Sequence, residues 1–391
     1  MTATSSLAAL AAKKLTDRNQ AYEQFFASEA EPLARACEAM AARFLDGGSL
    51  LALGRGAYAT DAQHVSVEFV HPVIVGKRAL PALDLSAMAG MPLECLVRPT
   101  DIVMGFGSPQ GDPVIAGALE SARRAGAMTF ALQPGPADYS PQHFLTDAFR
   151  HQEVIEILYH TLWETVHVFF ERRELAAEAG GASFLYPFLG GSGSHSGVAG
   201  EVAASIRMKA ADDARLRERV AHEEAGAIAQ AVNAIAQCVE GGGKLLFFGN
   251  GGSATDANDW ALDCSAPPGG MTPIPAVSLS AEPAVLTALA NDIGPDVVFL
   301  RQIIAHAREG DAAIAISTSG GSRNLMSALE EARRRGLTTI ALLGYDGGEI
   351  KRRGLADHAI VVRSDYIPRI QEVQASIYHV MRELIEEAPR A

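Results

Sequence analysis

Short apolar runs alternate along this chain with longer stretches in which apolar and charged positions recur at helical spacing. In the second half the runs fall near 244–248, 274–279, 312–316, 338–343 and 358–362, and each reads as a strand. Between them lie patterns such as Leu325 to Arg333, where Leu325, Ala328, Leu329 and Ala332 share one helical face. Continuous apolar strands separated by helices predict a parallel sheet covered on both faces. Amphipathic helices are expected over about 17–45 and 206–240 and again over about 149–170 and 368–387. Charges, Gly or Pro break every apolar run before the roughly 18 residues that a membrane span needs, so no transmembrane helix is expected.

The same plan occurs twice. Leu50 to Leu53 runs into Gly54-Arg55-Gly56-Ala57-Tyr58-Ala59-Thr60-Asp61-Ala62, and Leu245 to Phe248 into Gly249-Asn250-Gly251-Gly252-Ser253-Ala254-Thr255-Asp256-Ala257, a register of 249 − 54 = 195. Downstream, Asp101 to Phe106 answers Asp311 to Ile316 at 210, and Arg150, Gln152, Tyr159 and His160 answer Arg369, Gln371, Tyr378 and His379 at 219. Solenoid repeats are only some 20–50 residues long, so this is a duplicated domain. The division read from the sequence is a first domain over 1–175, a Gly-rich linker over 176–205 centred on Gly190 to Gly197, and a second domain over 206–391. The fold class expected is α/β: two doubly wound parallel-sheet domains, flavodoxin-like three-layer sandwiches with flanking helices.

Composition narrows the partners. The chain has 391 residues, ample for two cores. Its formal charge of −13 disfavours nucleic acid and anionic membranes. Cys37, Cys95, Cys238 and Cys264 are scattered without a C-x-x-C pair, against a disulfide scaffold or a structural zinc site. Lys13 and Lys14 follow the first apolar stretch, the reverse of a secretory signal, and a cytoplasmic location is expected. No nucleotide cofactor is expected.

The second repeat carries two loops suited to a phosphate. A Gly-rich turn leaving a strand and opening a helix aims backbone N–H groups at an anion, helped by the helix dipole. Gly249 to Ser253 is one such turn, and Ser317-Thr318-Ser319-Gly320-Gly321-Ser322 adds hydroxyls at another. Both fall beyond the carboxyl ends of strands, where doubly wound sheets bind ligands. Plain turns with N-caps are the simpler alternative, yet two hydroxyl-rich loops exceed what capping needs. The first repeat has Gly107-Ser108-Pro109-Gln110-Gly111-Asp112 instead: one hydroxyl remains, Pro109 lacks an amide donor and Asp112 repels phosphate. It also lacks the segment answering Asn291 and Asp292, because Ser86 to Asp101 is 16 residues shorter than Ser280 to Asp311.

Gly249 to Ser253, Ala290-Asn291-Asp292, Ile316 to Gly320 and Arg369-Ile370-Gln371-Glu372, in this order and spacing, resemble the sugar isomerase (SIS) family, specifically its phosphoheptose isomerases. The resemblance covers about 206–387 strongly and 17–170 more weakly. It implies a substrate-binding set of Asn250, Gly251, Ser253, Asn291, Asp292, Ser317, Thr318, Ser319, Ser322 and Gln371 for a phosphorylated sugar. It also implies that His64, Glu68, Gln152 and His160 of the first repeat hold zinc or take part in catalysis; His64 and Glu68 share a helical face, as do Gln152 and His160. The same positions of the second repeat are Asp259, Asp263, Gln371 and His379, and there Asp263 is expected as base with His379 as acid or ligand. The catalytic set is thus Asp263, His379, Glu68 and His160. Pro267 and Pro72 stand where the family has an Arg, and Pro368 where it has an acidic residue.

The function implied is aldose–ketose isomerisation of a sugar phosphate through an enediol. The alternative is a non-catalytic sugar-phosphate-binding regulator or interaction scaffold. The family's tetramer implies a homodimer of this chain, carrying four SIS domains.

Overall fold

A computed structural model divides the chain into two compact units, one of residues 20–212 and one of residues 1–19 with 213–391. The described residues are 3–72, 77–179 and 195–387. The Gly-rich linker falls largely at 180–194, outside them; helices take up both flanks of the expected 176–205 segment.

The chain opens on α1 (Ala3–Thr16) and α2 (Asn19–Leu45), followed by β1 (Leu50–Leu53), α3 (Tyr58–Val70), β2 (Ala82–Asp84), β3 (Ile102–Phe106), α4 (Pro113–Arg124), β4 (Met128–Leu132) and α5 (Ala148–Ala179). The strands form one parallel sheet in the order β2-β1-β3-β4. Successive side chains point to opposite faces. Leu50, Ala52 and Met104 therefore pack with Phe26, Phe69 and Trp163 on one side, while Leu51, Leu53 and Val103 pack with Ile115 and Leu119 on the other. A fifth strand has shrunk to the single parallel bridge Phe130–Tyr139.

Next come α6 (His195–Glu223), α7 (Ala225–Glu240), β5 (Leu245–Phe248), α8 (Gly252–Ser265), β6 (Ala276–Ser278), α9 (Pro283–Asp292), α10 (Val298–His306), β7 (Ala312–Ser317), α11 (Arg323–Arg334), β8 (Thr338–Gly344), α12 (Gly348–Arg352), β9 (His358–Val362) and α13 (Ile367–Glu387). The order β6-β5-β7-β8-β9, all parallel, is the doubly wound arrangement expected, with its switch point between β5 and β7. The helix expected over 206–240 is broken at Glu224 into α6 and α7.

Residues 1–19, read from the sequence as part of the first domain, belong instead to the second unit. Leu7, Ala11 and Leu15 of α1 enter its core beside Ile228, Val232 and Leu384. Arg18 Nη2 donates to Glu383 Oε1 at 2.7 Å and Lys14 Nζ to Glu383 Oε2 at 2.8 Å. Burial and charge pairing across a long sequence separation outweigh adjacency along the chain.

Candidate functional site

The first loop of the second unit is shaped by close packing. A Cβ on Gly249 would lie 2.2 Å from the Ser253 carbonyl oxygen, and Gly251 has φ +58°, so only glycine fits the first and is unstrained at the second. Ser253 follows as the second residue of α8 and is buried. The second loop leaves β7 at Ser317, whose Oγ accepts from the Gly320 amide at 3.0 Å; the Ser319 Oγ accepts from Gly321 at 3.3 Å. Gly320 has φ +60° and presses on Gly347, and its carbonyl accepts from the Ile350 amide at 2.9 Å. Ser322 holds the N-cap position of α11 without a side-chain cap bond. Asn250 and Asn324 exchange amide hydrogen bonds of 3.1 and 2.9 Å, tying the two loops together. Asn291 and Asp292 are exposed at the end of α9 and bond to each other at 2.8 Å. Gln371 is buried in the first turns of α13, and the Gln374 amide reaches the Ser317 carbonyl at 3.5 Å.

In the first unit the corresponding space is occupied by the chain itself. Asp112 caps α4, its Oδ1 accepting from the amides of Val114 at 2.8 Å and Ile115 at 3.4 Å. Arg55 pairs with Asp112 Oδ2 at 3.1 Å. Gln133 clamps the Asp112 backbone, Oε1 accepting from its N–H at 2.8 Å and Nε2 donating to its carbonyl at 3.1 Å. A built-in carboxylate thus sits where a helix N-terminus would otherwise meet an external anion.

Two buried clusters lie where the helix after the Gly-rich turn meets the last helix of each unit. In the second unit Asp259 and Asp263, four apart on α8, face His379 of α13: His379 Nε2 is 3.5 Å from Asp259 Oδ2 and 3.2 Å from Asp263 Oδ2. Tyr378 donates to Asp259 Oδ2 at 2.8 Å, and Arg382 Nε to the Asp263 carbonyl at 3.0 Å. Burial, reinforced by the Asp259 charge, pushes the Asp263 carboxyl up to about 7, although His379 and Arg382 pull it back. Burial and Asp259 also hold Asp256 well above the usual carboxylate range.

In the first unit His64 Nε2 lies 3.4 Å from His160 Nε2 and 3.8 Å from Glu68 Oε1. The Gln152 amide is directed to Asp61 Oδ2 at 3.2 Å. Three ligand atoms, one each from His64, Glu156 and His160, lie within 4.8 Å of one another, and so do three from Asp259, Asp263 and His379. Sequence reading missed Glu156, though its position one turn before His160 places it on the same helical face. It also missed Asn324, Gln133 and Tyr378, whose roles depend on partners far away in the chain.

The SIS domain family matches residues 210–344. The phosphoheptose isomerase of Chlorobium limicola is 45% identical over 177 residues, covering 44% of this chain and 82% of that protein. The phosphoheptose isomerase of Geobacter sulfurreducens is 44% identical over 171 residues, covering 44% of this chain and 89% of that protein. A tagatose-6-phosphate ketose/aldose isomerase structure from Escherichia coli shares the fold over 98% of this chain and 94% of its own, with a TM-score of 0.56 and 13% identity. With two parallel-sheet units and this degree of identity, the chain belongs to the phosphoheptose isomerase family and carries its SIS domain in tandem.

Proposed function

We propose that this protein is a sugar-phosphate aldose–ketose isomerase whose second unit carries out the chemistry. The observation that carries the reading is the Asp263–His379 pair at 3.2 Å, with the Asp263 carboxyl lifted to about 7. A carboxyl poised near neutrality can take a proton from the carbon next to a carbonyl and return it to the neighbouring carbon, which is the proton transfer an enediol route requires. His379 serves the oxygen on which charge develops. Ser253, Ser317, Thr318, Ser319 and Ser322 hold the phosphate, so binding energy remote from the reacting carbons positions them.

Ser253 and Asp263 stand ten residues apart on α8, about 15 Å at 1.5 Å per residue. A substrate anchored at the loops reaches Asp263 only when long and extended, which favours a seven-carbon 7-phosphate over a hexose 6-phosphate. The same reading makes the protein a cytoplasmic homodimer. The test is an isomerase assay with sedoheptulose 7-phosphate and fructose 6-phosphate on the full chain and on Asp263→Asn. Turnover of the longer sugar, reduced at least about 100-fold in the variant, is expected from losing a general base. Full activity in Asp263→Asn overturns the assignment.

A further inference from the structure

We infer that Tyr378 is a positioning residue of the second unit: its hydroxyl holds the Asp259 carboxylate, and Asp259 in turn aims the His379 imidazole. The catalytic consequence rests on the isomerase reading above, in which Asp263 and His379 carry out the proton transfer.

The contacts form one buried chain. Tyr378 Oη donates to Asp259 Oδ2 at 2.8 Å, and the same oxygen lies 3.5 Å from His379 Nε2, which stands 3.2 Å from Asp263 Oδ2. All four side chains are buried. A hydroxyl at 2.8 Å makes a full hydrogen bond, whereas the 3.5 Å to the ring is longer than one. The tyrosine therefore fixes the carboxylate, and the fixed carboxylate attracts the Nε2 edge of the ring and favours hydrogen on that nitrogen. Tyr378 itself has little freedom. Its ring stacks on Trp260 at 5.5 Å and 20°, and Trp260 packs on Phe247 of β5 at 4.9 Å. Neighbouring residues on a helix do not share a face, yet Tyr378 and His379 both meet α8, because α13 is buried on all sides over 368–382.

Loss of the hydroxyl has a defined effect. Asp259, short of a donor, draws Nε2 toward itself and away from Asp263, so the hydrogen on that nitrogen no longer points at the substrate oxygen on which charge develops. The hydroxyls proposed to hold the phosphate sit at the β7–α11 turn and in the first turn of α8, so the loss falls on kcat rather than on KM. In the first repeat the position of Tyr378 is Tyr159, at 378 − 219, but His64 stands where Asp259 does, and the Tyr159 ring packs on that imidazole at 5.4 Å. A carboxylate at that position belongs to the second repeat alone.

The test compares the full chain with Tyr378→Phe, which keeps the ring and removes only the hydroxyl. With sedoheptulose 7-phosphate, kcat should fall at least about tenfold, a part of the roughly 100- to 10,000-fold that general acid–base groups contribute, while KM stays within about twofold. In an Asp259→Ala background the same change should alter kcat less than about twofold, because a residue acting through Asp259 has nothing left to act on. The ring nitrogen NMR resonances of His379, assigned by their absence from His379→Gln, give a readout that needs no turnover, and Tyr378→Phe should shift them. Unchanged kcat in Tyr378→Phe, an equal loss in both backgrounds, or unshifted His379 resonances each overturns the inference. A parent chain that turns over neither sedoheptulose 7-phosphate nor fructose 6-phosphate overturns the isomerase reading instead, and the His379 resonances alone then decide whether Tyr378 positions the imidazole.

Discussion

At the scale of single residues, the proposed mechanism makes Asp263 the group that couples the chemistry to pH. Its carboxyl is raised from 3.8 to about 7 by burial and by Asp259. Between those values the folded chain holds a proton that the unfolded chain has released, so this group's contribution falls as pH rises through the window and is flat above it. Asp263→Asn, which cannot ionise, should remove that slope. Thermal unfolding followed from pH 4 to 8 should show the variant gaining on the parent chain as pH rises, by an amount on the order of a few kcal/mol. Parallel curves would mean that Asp263 is not the group being lifted. In the proposed mechanism the same proton sets the rate: turnover should climb as pH passes through about 7, because only the ionised carboxylate removes a proton from carbon.

Between elements, the two repeats use one strand-to-helix junction in opposite ways. At the β7–α11 turn, hydroxyls surround a helix N-terminus that has no side-chain cap. At the β3–α4 turn, Asp112 supplies the anion from within the chain and Arg55 balances it. Ser317→Ala with Ser319→Ala should therefore weaken a sugar phosphate by about two orders of magnitude or more, since each hydrogen bond to a charged group contributes roughly 1.5–3 kcal/mol. Ser108→Ala, whose Oγ donates to the Gly111 carbonyl at 3.2 Å, should change affinity less than about twofold. Titration calorimetry with sedoheptulose 7-phosphate separates the two, and equal sensitivity would end the division of labour between the loops.

Across the whole molecule, the duplication has been kept as a fold and altered as chemistry. The sheet order 2-1-3-4 persists in both units, but among the described residues only the second has a full fifth strand, β9. The N-terminal helix α1 is committed to the second unit by Leu7, Ala11 and Leu15 and by the pairing of Lys14 and Arg18 with Glu383. Light scattering on the full chain at micromolar concentration should report twice 41.2 kDa if two chains assemble as proposed, and a particle of 41.2 kDa overturns the dimer.

The strands, their parallel pairing and the two-domain plan were legible in the sequence, because apolar runs of strand length and helical periodicity are local properties of the chain. So was the geometry of the two Gly-rich turns, since Gly249, Gly251 and Gly320 mark backbone positions that no other residue adopts without strain or collision. Tertiary structure decided the rest. Which unit α1 joins depends on a core assembled from residues more than 200 positions away, and periodicity carries no information about a partner. That the Gln152 amide is held by Asp61, while Glu156 stands beside His64 and His160, is decided only once α3 and α5 lie side by side. The lifting of Asp263 is likewise a product of packing: a carboxylate on a helix is ordinary until burial and Asp259 deny it water.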